Sequence, residues 1–267
     1  MTSLPITLLS RIEDAGINAS APPQQRWIDG WLLRFSPGKA KRTRCVQAVA
    51  QGRLPLDQRL ELCAAVLRDA GLPMVVRITP FSLPESLDEA LADRGYGRFD
   101  ETRVMVARRM PAQAEPLPNG LVLEPLAPAE FAEVVGCLRG SPPRHRAAHA
   151  ERLALSPVPY QGWVLRRADS AAGADGADGG AVLACGQTAV ESELVGLYDV
   201  FTAPEVRGQG LARRLCSALL ARTGAAGASM AYLQVDADNA PARAIYQRLG
   251  FDDAYSYHYR ALDPDAA

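Results

Sequence analysis

The predicted elements of this sequence follow one order twice, and this repetition constrains the fold more than any other feature. Each copy has a helical segment of the pattern L-C-x-A-x-L, a short strand, a helix that ends at a glycine followed by an aromatic residue, and a final strand. In the first copy these segments are residues 62–71, residues 74–79, the helix that ends at Arg94-Gly95-Tyr96, and residues 102–108. In the second copy they are residues 215–224, residues 230–235, the helix that ends at Leu249-Gly250-Phe251, and residues 255–262. The shared order predicts two copies of one α/β unit.

Strands and helices alternate most clearly in the second half. Leu211, Leu215 and Leu219 recur at helical spacing, so they predict a helix with one apolar face. The predicted strands are residues 121–126, 163–167, 181–190 and 194–201, and the predicted helices are 128–139, 144–155, 209–222 and 240–248, the last stopped by a left-handed Gly250. We therefore expect an α/β class with two mixed-sheet domains in tandem.

Two stretches have the composition of loops. Residues 110–120, M-P-A-Q-A-E-P-L-P-N-G, carry three prolines and no periodicity, which is typical of a linker. The sequence thus predicts a first domain over residues 1–110, a linker over 111–120 and a second domain over 121–267. Residues 168–180 are a low-complexity Ala/Asp/Gly tract, for which we expect a flexible hairpin loop.

Composition limits the classes of partner. The 267 residues are 48% hydrophobic, enough for one large core or two modest ones, and the net charge of -1 argues against a nucleic-acid binder. The five cysteines form no CxxC pair, so we expect neither a disulfide framework nor a metal site. No apolar run approaches the ~18 residues of a membrane helix. We expect a cytoplasmic monomer or homodimer that contacts no membrane.

A glycine-rich loop, V-R-G-Q-G-L-A at residues 206–212, joins a predicted strand to a predicted helix. Glycine permits positive φ and close approach of a ligand to the backbone, and amides of such a loop and of the helix beyond it can converge on an anion. The loop lacks the GxxxxGK of a P-loop, and Arg213 stands where a dinucleotide fingerprint needs its third glycine. A loop for the pyrophosphate of an acyl-CoA is the third class that we consider.

Two motifs of the second half resemble those of the GNAT acetyltransferases. R-G-Q-G-L-A resembles the family's Q/R-x-x-G-x-G/A motif, and N-A-P-A-R-A-I-Y-Q-R-L-G-F at residues 239–251 resembles its N-x-x-A-x-x-x-Y-x-x-x-G-F pattern. The resemblance extends over about residues 120–262, with both motifs in the family's order. It implies an N-acetyltransferase that uses acetyl-CoA as co-substrate and a primary amine of a small molecule or peptide as acceptor.

The resemblance also implies roles for individual residues. The backbone amides of the loop would hold the pyrophosphate, three strand residues would pair with the pantetheine arm as an added strand would, and a side chain before the last helix would reach that arm. These residues are Arg207, Gly208, Gln209, Gly210, Leu211 and Ala212 for the loop, Val200, Phe201 and Thr202 for the strand, and Asn239 for the side chain. Tyr246 would direct its hydroxyl at the thioester sulfur, where it could donate a hydrogen bond or a proton.

The proton acceptor is not fixed by these motifs. An alkylamine is almost fully protonated at neutral pH, so direct attack on the thioester needs a base or a water chain. Some relatives carry a glutamate four residues before the pantetheine-pairing stretch, where this chain has Gly196. Nearby carboxylates are Glu191, Glu193, Asp199 and Asp236. We select Asp199 because it precedes Val200, whose N–H could polarise the carbonyl; a structural role for the same carboxylate stays open.

The first half lacks the features of the loop. Residues 54–59 align with residues 207–212, yet they contain no glycine, Pro55 offers no amide donor, and Asp57 would repel phosphate. Leu91 aligns with Tyr246. We therefore expect one acyl-CoA site per chain, with the first half covering a sheet edge or lining the acceptor cleft.

Two alternatives follow from what the motifs leave undecided. Since the base is unassigned, the chain could be a non-catalytic sensor of acyl-CoA rather than an enzyme; a protein-contact scaffold is disfavoured by the intact loop. His145 and His149 lie four residues apart, a spacing that suits a metal pair on a helix, but no third ligand accompanies them. We predict that this helix lies on the surface.

Overall fold

The computed structural model describes residues 4–168 and 181–265, and it divides into two compact units. The first unit comprises the described parts of Met1–Val104, Val235–Asn239 and Asp253–Ala267, and the second comprises the described parts of Met105–Gln234 and Ala240–Asp252. The predicted hairpin loop of residues 168–180 lies outside the described residues, except for Ala168. The predicted domain limits at residues 110 and 121 stay a prediction, because a compact unit need not coincide with a duplicated stretch of sequence.

The first unit is built on a mixed sheet with helices packed against it. Its strand order is β1-β2-β3-β4-β11-β5, in which β3 and β4 are parallel whereas β1–β2, β2–β3 and β4–β11 are antiparallel. The elements are α1 Ile6–Ala19, β1 Gln24–Ile28, β2 Trp31–Phe35, β3 Val46–Gln47, α2 Leu56–Asp69, β4 Val76–Ile78, α3 Leu87–Ala92, β5 Gly97–Ala107 and β11 Asp252–Ala261. Trp31, Leu67 and Leu87 are fully buried in its core. Burial of each such side chain is worth ~1.5–3 kcal/mol relative to exposure.

The second unit is a meander followed by a parallel crossover. Strands β6 to β9 pair antiparallel in sequence order, and α6 then carries the chain to β10, which runs parallel to β9. The elements are β6 Leu121–Leu126, α4 Pro128–Leu138, α5 Pro143–Ala154, β7 Tyr160–Arg167, β8 Ala184–Glu191, β9 Leu194–Thr202, α6 Leu211–Ala225, β10 Met230–Asp236 and α7 Ala240–Arg248. Leu211, Leu215 and Leu219 are buried, which confirms the predicted apolar face of α6. The mixed α/β class is confirmed as well.

The helix ends support the alignment of the two halves. Gly250 has φ +87°, as predicted for a left-handed end of α7, and the Phe251 N–H donates to the carbonyl of Tyr246. In the first unit, Gly95 has φ +81° and the Tyr96 N–H donates to the carbonyl of Leu91. Leu91 therefore occupies, in its own helix end, the position that Tyr246 occupies in the other.

The predicted end of α6 was wrong by three residues. We expected the helix that starts near residue 209 to end at residue 222, but α6 continues through Gly224 to Ala225. The left-handed glycine that ends it is Gly227, with φ +108°, and the Ala228 N–H donates to the carbonyl of Thr223. Glycine is unfavourable but tolerated inside a helix, so Gly224 by itself did not mark the end.

Candidate active site

The glycine loop between β9 and α6 has the backbone conformation that its sequence predicts. Gly208 and Gly210 have φ values of +78° and +73°, a region that L side chains rarely adopt. Gly210 is the N-cap of α6 and no side chain caps the helix there. The first-turn amides, which include those of Leu211 and Ala212, have no acceptor within the helix, and together with the helix dipole they favour an anion.

The Arg207 side chain lies back against the protein and does not cover the backbone of the loop. Arg207 is exposed, its Nε donates to the Thr202 carbonyl at 3.3 Å, and its guanidinium lies 5.4 Å from the centroid of the Phe201 ring. Gln209 is exposed as well, and its carbonyl accepts a hydrogen bond from Arg214. A Cβ at Gly208 would meet no atom within 4 Å, which leaves room for a ligand beside the backbone.

Strand β9 extends past its pairing with β10. The parallel ladder given by the structure ends at Leu197 opposite Leu233, whereas β9 continues to Thr202 and stays paired to β8 on its other side. Val200, Phe201 and Thr202 therefore lie beyond the ladder with β10. An edge of this kind presents N–H and C=O groups that can pair with an extended ligand.

A β-bulge lies immediately before this edge. Tyr198 pairs with Gln187 and Phe201 with Cys185, so Asp199 and Val200 together oppose a single residue of β8. Asp199 has φ +51°, a conformation that Asp tolerates better than most residues. The bulge turns the Asp199 side chain toward helices α4 and α5.

Asp199 is the centre of a polar cluster. Arg139 Nη1, at the end of α4, donates to Asp199 Oδ1 at 2.6 Å, and Gln187 Nε2 donates to Asp199 Oδ2 at 2.5 Å. His149 Nε2, on α5, lies 3.3 Å from Asp199 Oδ2, an ion-pair distance without the angle of a hydrogen bond. The Asp199 side chain is 17% exposed, so the charge of its carboxylate is balanced largely by these neighbours.

The partners of Asp199 determine its ionisation. Burial by itself raises the pKa of the carboxyl, but contact with His149 and the charges of Arg139 and Arg152 outweigh it and hold the pKa well below its usual range. A carboxylate of this kind is a weak base at neutral pH, so the geometry does not favour Asp199 as the group that receives the amine proton directly.

Most residues of α5 are exposed or half-buried, but His149 is on the side of this helix that packs on the protein. The His149 side chain is 18% exposed and faces the β9 bulge. Arg139, His149 and Gln187 were not among our candidates, because no local motif marks a contact between α5 and the bulge. The i, i+4 histidine spacing was the only signal, and it pointed to a metal rather than to a carboxylate.

Tyr246 is half-buried on α7. Its ring packs edge-on against Phe251, with centroids 6.0 Å apart, and its hydroxyl makes no hydrogen bond with another described residue. Burial and the neighbouring Cys216 thiol raise the pKa of the phenol, whereas Arg139 partly opposes the shift. The phenol therefore stays protonated at neutral pH and can donate a hydrogen bond. Arg139, the ion-pair partner of Asp199, thus acts electrostatically on Tyr246 as well.

The sequence also indicates Asn239 as a ligand of the pantetheine arm and Glu191 and Glu193 as nearby carboxylates. Asn239 is exposed in the turn between β10 and α7, where its N–H donates to the Asp236 carbonyl at 3.1 Å. Glu191 and Glu193 flank the turn before β9, about 20 Å along an extended strand from Val200. That separation disfavours both glutamates as bases for a reaction at the bulge.

No side chain fits at Gly196, where some GNAT enzymes carry a glutamate. A Cβ there would overlap the Tyr198 ring and would lie 2.8 Å from the ring carbon Cζ of Tyr232. The hydroxyls of these two buried tyrosines are 2.9 Å apart. The tyrosine pair therefore fills the space that a glutamate side chain at this position would need.

In the first unit, a carboxylate of the protein binds the segment that aligns with the start of the glycine loop. The Asp29 carboxylate accepts hydrogen bonds from the amides of Arg53 and Leu54 at 2.9–3.0 Å, just before α2, and pairs with Arg59 at 2.9 Å. The amides of Leu54 and Arg53 are the main reason that the Asp29 pKa is lowered. Asp57, predicted to repel phosphate, is bound by Arg94 at 2.5 Å. The Asp29 carboxylate thus accepts the hydrogen bonds of backbone amides that could otherwise bind a phosphate.

None of the described helices is long and apolar enough to cross a membrane. No group of three or more potential metal ligands occurs among residues 4–168 and 181–265.

Comparison with known proteins shows what the segment that carries this site resembles. Residues 157–251 match the model of the acetyltransferase (GNAT) family. A curated relative, the uncharacterized N-acetyltransferase YobR of Bacillus subtilis (strain 168), is 27% identical over 253 residues, which cover 88% of this chain and 91% of that protein.

Solved structures show the same fold. A GCN5-related N-acetyltransferase from Kribbella flavida has a TM-score of 0.66 at 16% identity and covers 96% of this chain and 95% of that one. A tandem GNAT protein from the clavulanic acid biosynthesis pathway has a TM-score of 0.58 at 12% identity, with 78% and 70% covered. The chain is thus similar to acetyltransferases of the GNAT family over residues 157–251, and the solved structures share its fold.

Proposed function

We propose that the chain transfers the acetyl group of acetyl-CoA to a primary amine of a small molecule or peptide, by direct attack of the amine on the thioester. The edge of β9 at Val200–Thr202 carries this proposal, because it runs past the β9–β10 ladder and leads directly into the glycine loop. A pantetheine arm paired along that edge would bring its pyrophosphate to the start of α6. The first unit, whose amides are occupied by Asp29, would bind no CoA.

The loop suits a pyrophosphate without a lysine. The backbone from Arg207 to Ala212 would supply the amides, Gly208 and Gly210 permit the required φ values, and the α6 dipole adds to the attraction. Each hydrogen bond to a charged oxygen is worth ~1.5–3 kcal/mol. Asn239 would bind the pantetheine arm through its side chain.

The acyl-transfer step divides between two groups. The Val200 N–H, at the bulge, would stabilise the oxyanion that forms when the amine attacks the carbonyl. Tyr246 would donate a hydrogen bond to the departing sulfur. A phenol with a pKa above 10 transfers its proton uphill to a thiolate, whose thiol has a pKa near 8.5, so hydrogen-bond donation is favoured over full proton transfer.

Turnover tests this proposal and separates an enzyme from a sensor. Purified protein would be incubated with acetyl-CoA and a panel of primary amines (alkylamines, diamines, amino acids, amino sugars and short peptides), with CoA release and the mass of the acetylated product as readouts. We expect amine-dependent CoA release. Tight acetyl-CoA binding without release for any amine would instead support a sensor and contradict the proposed reaction.

A pair of glycine variants tests the loop. Gly210→Val should lower kcat/KM at least tenfold, because a residue with a Cβ rarely adopts φ +73° and loss of even one charged hydrogen bond has that effect. Gly227→Val is the matched control, since it imposes similar strain at the other end of α6, far from the loop. Equal losses in both variants would show a stability effect and would remove the loop assignment.

A further inference from the structure

The polar cluster at the β9 bulge holds a histidine in contact with a carboxylate, one residue before the proposed oxyanion donor Val200. His149 Nε2 faces Asp199 Oδ2 at 3.3 Å and is fully covered, although the side chain as a whole is 18% exposed. The exposed part of the side chain therefore excludes Nε2. The other ring nitrogen, Nδ1, is the atom left to receive a proton from outside the cluster.

The carboxylate in this pair is itself held in place. Gln187 is fully buried, and because its Nε2 donates to Asp199 Oδ2, the amide orientation is set by that contact. Arg139 fixes the second carboxylate oxygen at 2.6 Å. Two bonds thus orient Asp199 toward α5, and a small rotation of the His149 ring would complete the Nε2–H hydrogen bond. Such bonds are often long or poorly aligned before substrate binds.

The charged and titratable groups around His149 come from each element that packs at the bulge. Arg139 lies at the end of α4 and Arg152 on α5, and both act on Asp199. His145 precedes His149 by one turn of α5, and the buried Cys185 thiol of β8 lies 3.8 Å from the Asp199 carbonyl. Burial raises the Cys185 pKa to about 12, so that thiol is neutral. Asp199 is therefore the anion in contact with the histidine.

We propose that His149 is the catalytic base that takes the proton of the acceptor ammonium through Nδ1, and that Asp199 is a positioning residue that fixes its tautomer and orientation. The inference rests on the proposed acetyl transfer and adds the group that the motifs do not supply. It also accounts for Gly196, because a glutamate is excluded there by Tyr198 and Tyr232.

The protons and electrons of the reaction balance with this assignment. His149 takes one proton from the ammonium and releases it to solvent. The amine lone pair then forms the C–N bond to the acetyl carbon, and the C–S bond breaks with its electron pair on sulfur. Of the three ammonium protons, one stays on the amide nitrogen, one passes through His149, and one ends on the thiolate, which Tyr246 stabilises as it leaves.

The test compares two nucleophiles in two matched variants of α5. His149→Gln removes the base, and His145→Gln makes the same change one turn earlier. Each protein is assayed with an alkylamine and with hydroxylamine, which is largely unprotonated at neutral pH, after subtraction of the uncatalysed reaction. For His149→Gln we expect kcat/KM with the alkylamine to fall about 100-fold or more at pH 7, little change with hydroxylamine, and recovery as the pH approaches the pKa of the amine. His145→Gln should retain both rates.

Asp199→Asn provides a readout that a purely structural residue would not move. Loss of the carboxylate removes the group that orients the imidazole, so kcat/KM with the alkylamine should fall while kcat/KM with hydroxylamine stays nearly unchanged. Unchanged alkylamine activity in His149→Gln, or equal losses with both nucleophiles, would overturn the assignment while leaving acetyl transfer intact. If the wild-type protein released CoA with neither nucleophile, that result would instead refute the proposed function, and this inference with it.

Discussion

Replacement of Tyr246 by Phe isolates the role of one hydroxyl. The Tyr246 hydroxyl has no hydrogen-bond partner among the described residues, and the ring packs against Phe251 at 6.0 Å. The variant keeps that packing and leaves no buried partner unsatisfied, so the free energy of unfolding should change by less than about 1 kcal/mol.

The effect on catalysis should be much larger than the effect on stability. A hydrogen bond to a developing thiolate is worth ~1.5–3 kcal/mol, and each 1.36 kcal/mol is tenfold in rate. Tyr246→Phe should therefore lower kcat about 10- to 150-fold while the Kd for acetyl-CoA stays unchanged. Because burial raises the pKa of the phenol, the ratio of the wild-type kcat to the Tyr246→Phe kcat should not vary between pH 6 and 9.

Steady-state kinetics with the preferred amine, calorimetric titration with acetyl-CoA and thermal melting would provide the three measurements. Tyr96→Phe is the matched control, since Tyr96 is a buried tyrosine of the first unit with a raised pKa, and its kcat should equal that of the wild type. An unchanged kcat in Tyr246→Phe would refute the hydroxyl as a donor to sulfur. A parallel loss of acetyl-CoA affinity would assign it to binding instead.

Three further predictions concern stability. The pKa of Asp199 is depressed in the folded chain, so the stabilisation from its carboxylate is present above the unfolded pKa near 3.8 and is lost as the pH falls through the folded pKa. Asp199→Asn should therefore lower the free energy of unfolding by about 1–3 kcal/mol at pH 7, measured by denaturant unfolding. A difference between wild type and variant that persists at low pH would contradict the ion cluster. Gly196→Ala should cost ~1–3 kcal/mol by overpacking, whereas Gly186→Ala, whose Cβ would make contacts of 3.4–3.5 Å, should cost less than about 1 kcal/mol; equal melting temperatures would disprove the tyrosine packing. Asp29→Ala should lower the melting temperature, since two amides lose their acceptor, and it should not create a second CoA site; a second titratable site would show that the aspartate alone blocks the first unit.

Local chemistry explains why much of the fold could be predicted. The spacing of Leu211, Leu215 and Leu219 depends on helix geometry alone, and these residues are buried as predicted. Gly208 and Gly210 predict positive φ values, because few other residues adopt them, and both glycines have positive φ in the structure. The β6 and α7 bounds also agree with the predicted ones.

The parts of the site that the sequence did not predict depend on contacts between elements that are distant in sequence. His149 meets Asp199 only because a bulge in β9 turns the carboxylate toward α5, and a bulge leaves no mark in strand periodicity. Gln187 serves the same site from β8 through a buried amide. The Asp29 carboxylate likewise reaches the amides before α2 across a sequence gap, which explains why residues 54–59 alone did not reveal it.

Calorimetric titration of the full chain with acetyl-CoA tests the central claim most directly, because the claim is that one site exists and that the loop of the second unit forms it. We predict a stoichiometry of one acetyl-CoA per chain in the wild type and in Gly227→Val, with binding weakened at least tenfold in Gly210→Val. Two sites per chain, no binding in the wild type, or an unchanged Kd in Gly210→Val would contradict the account.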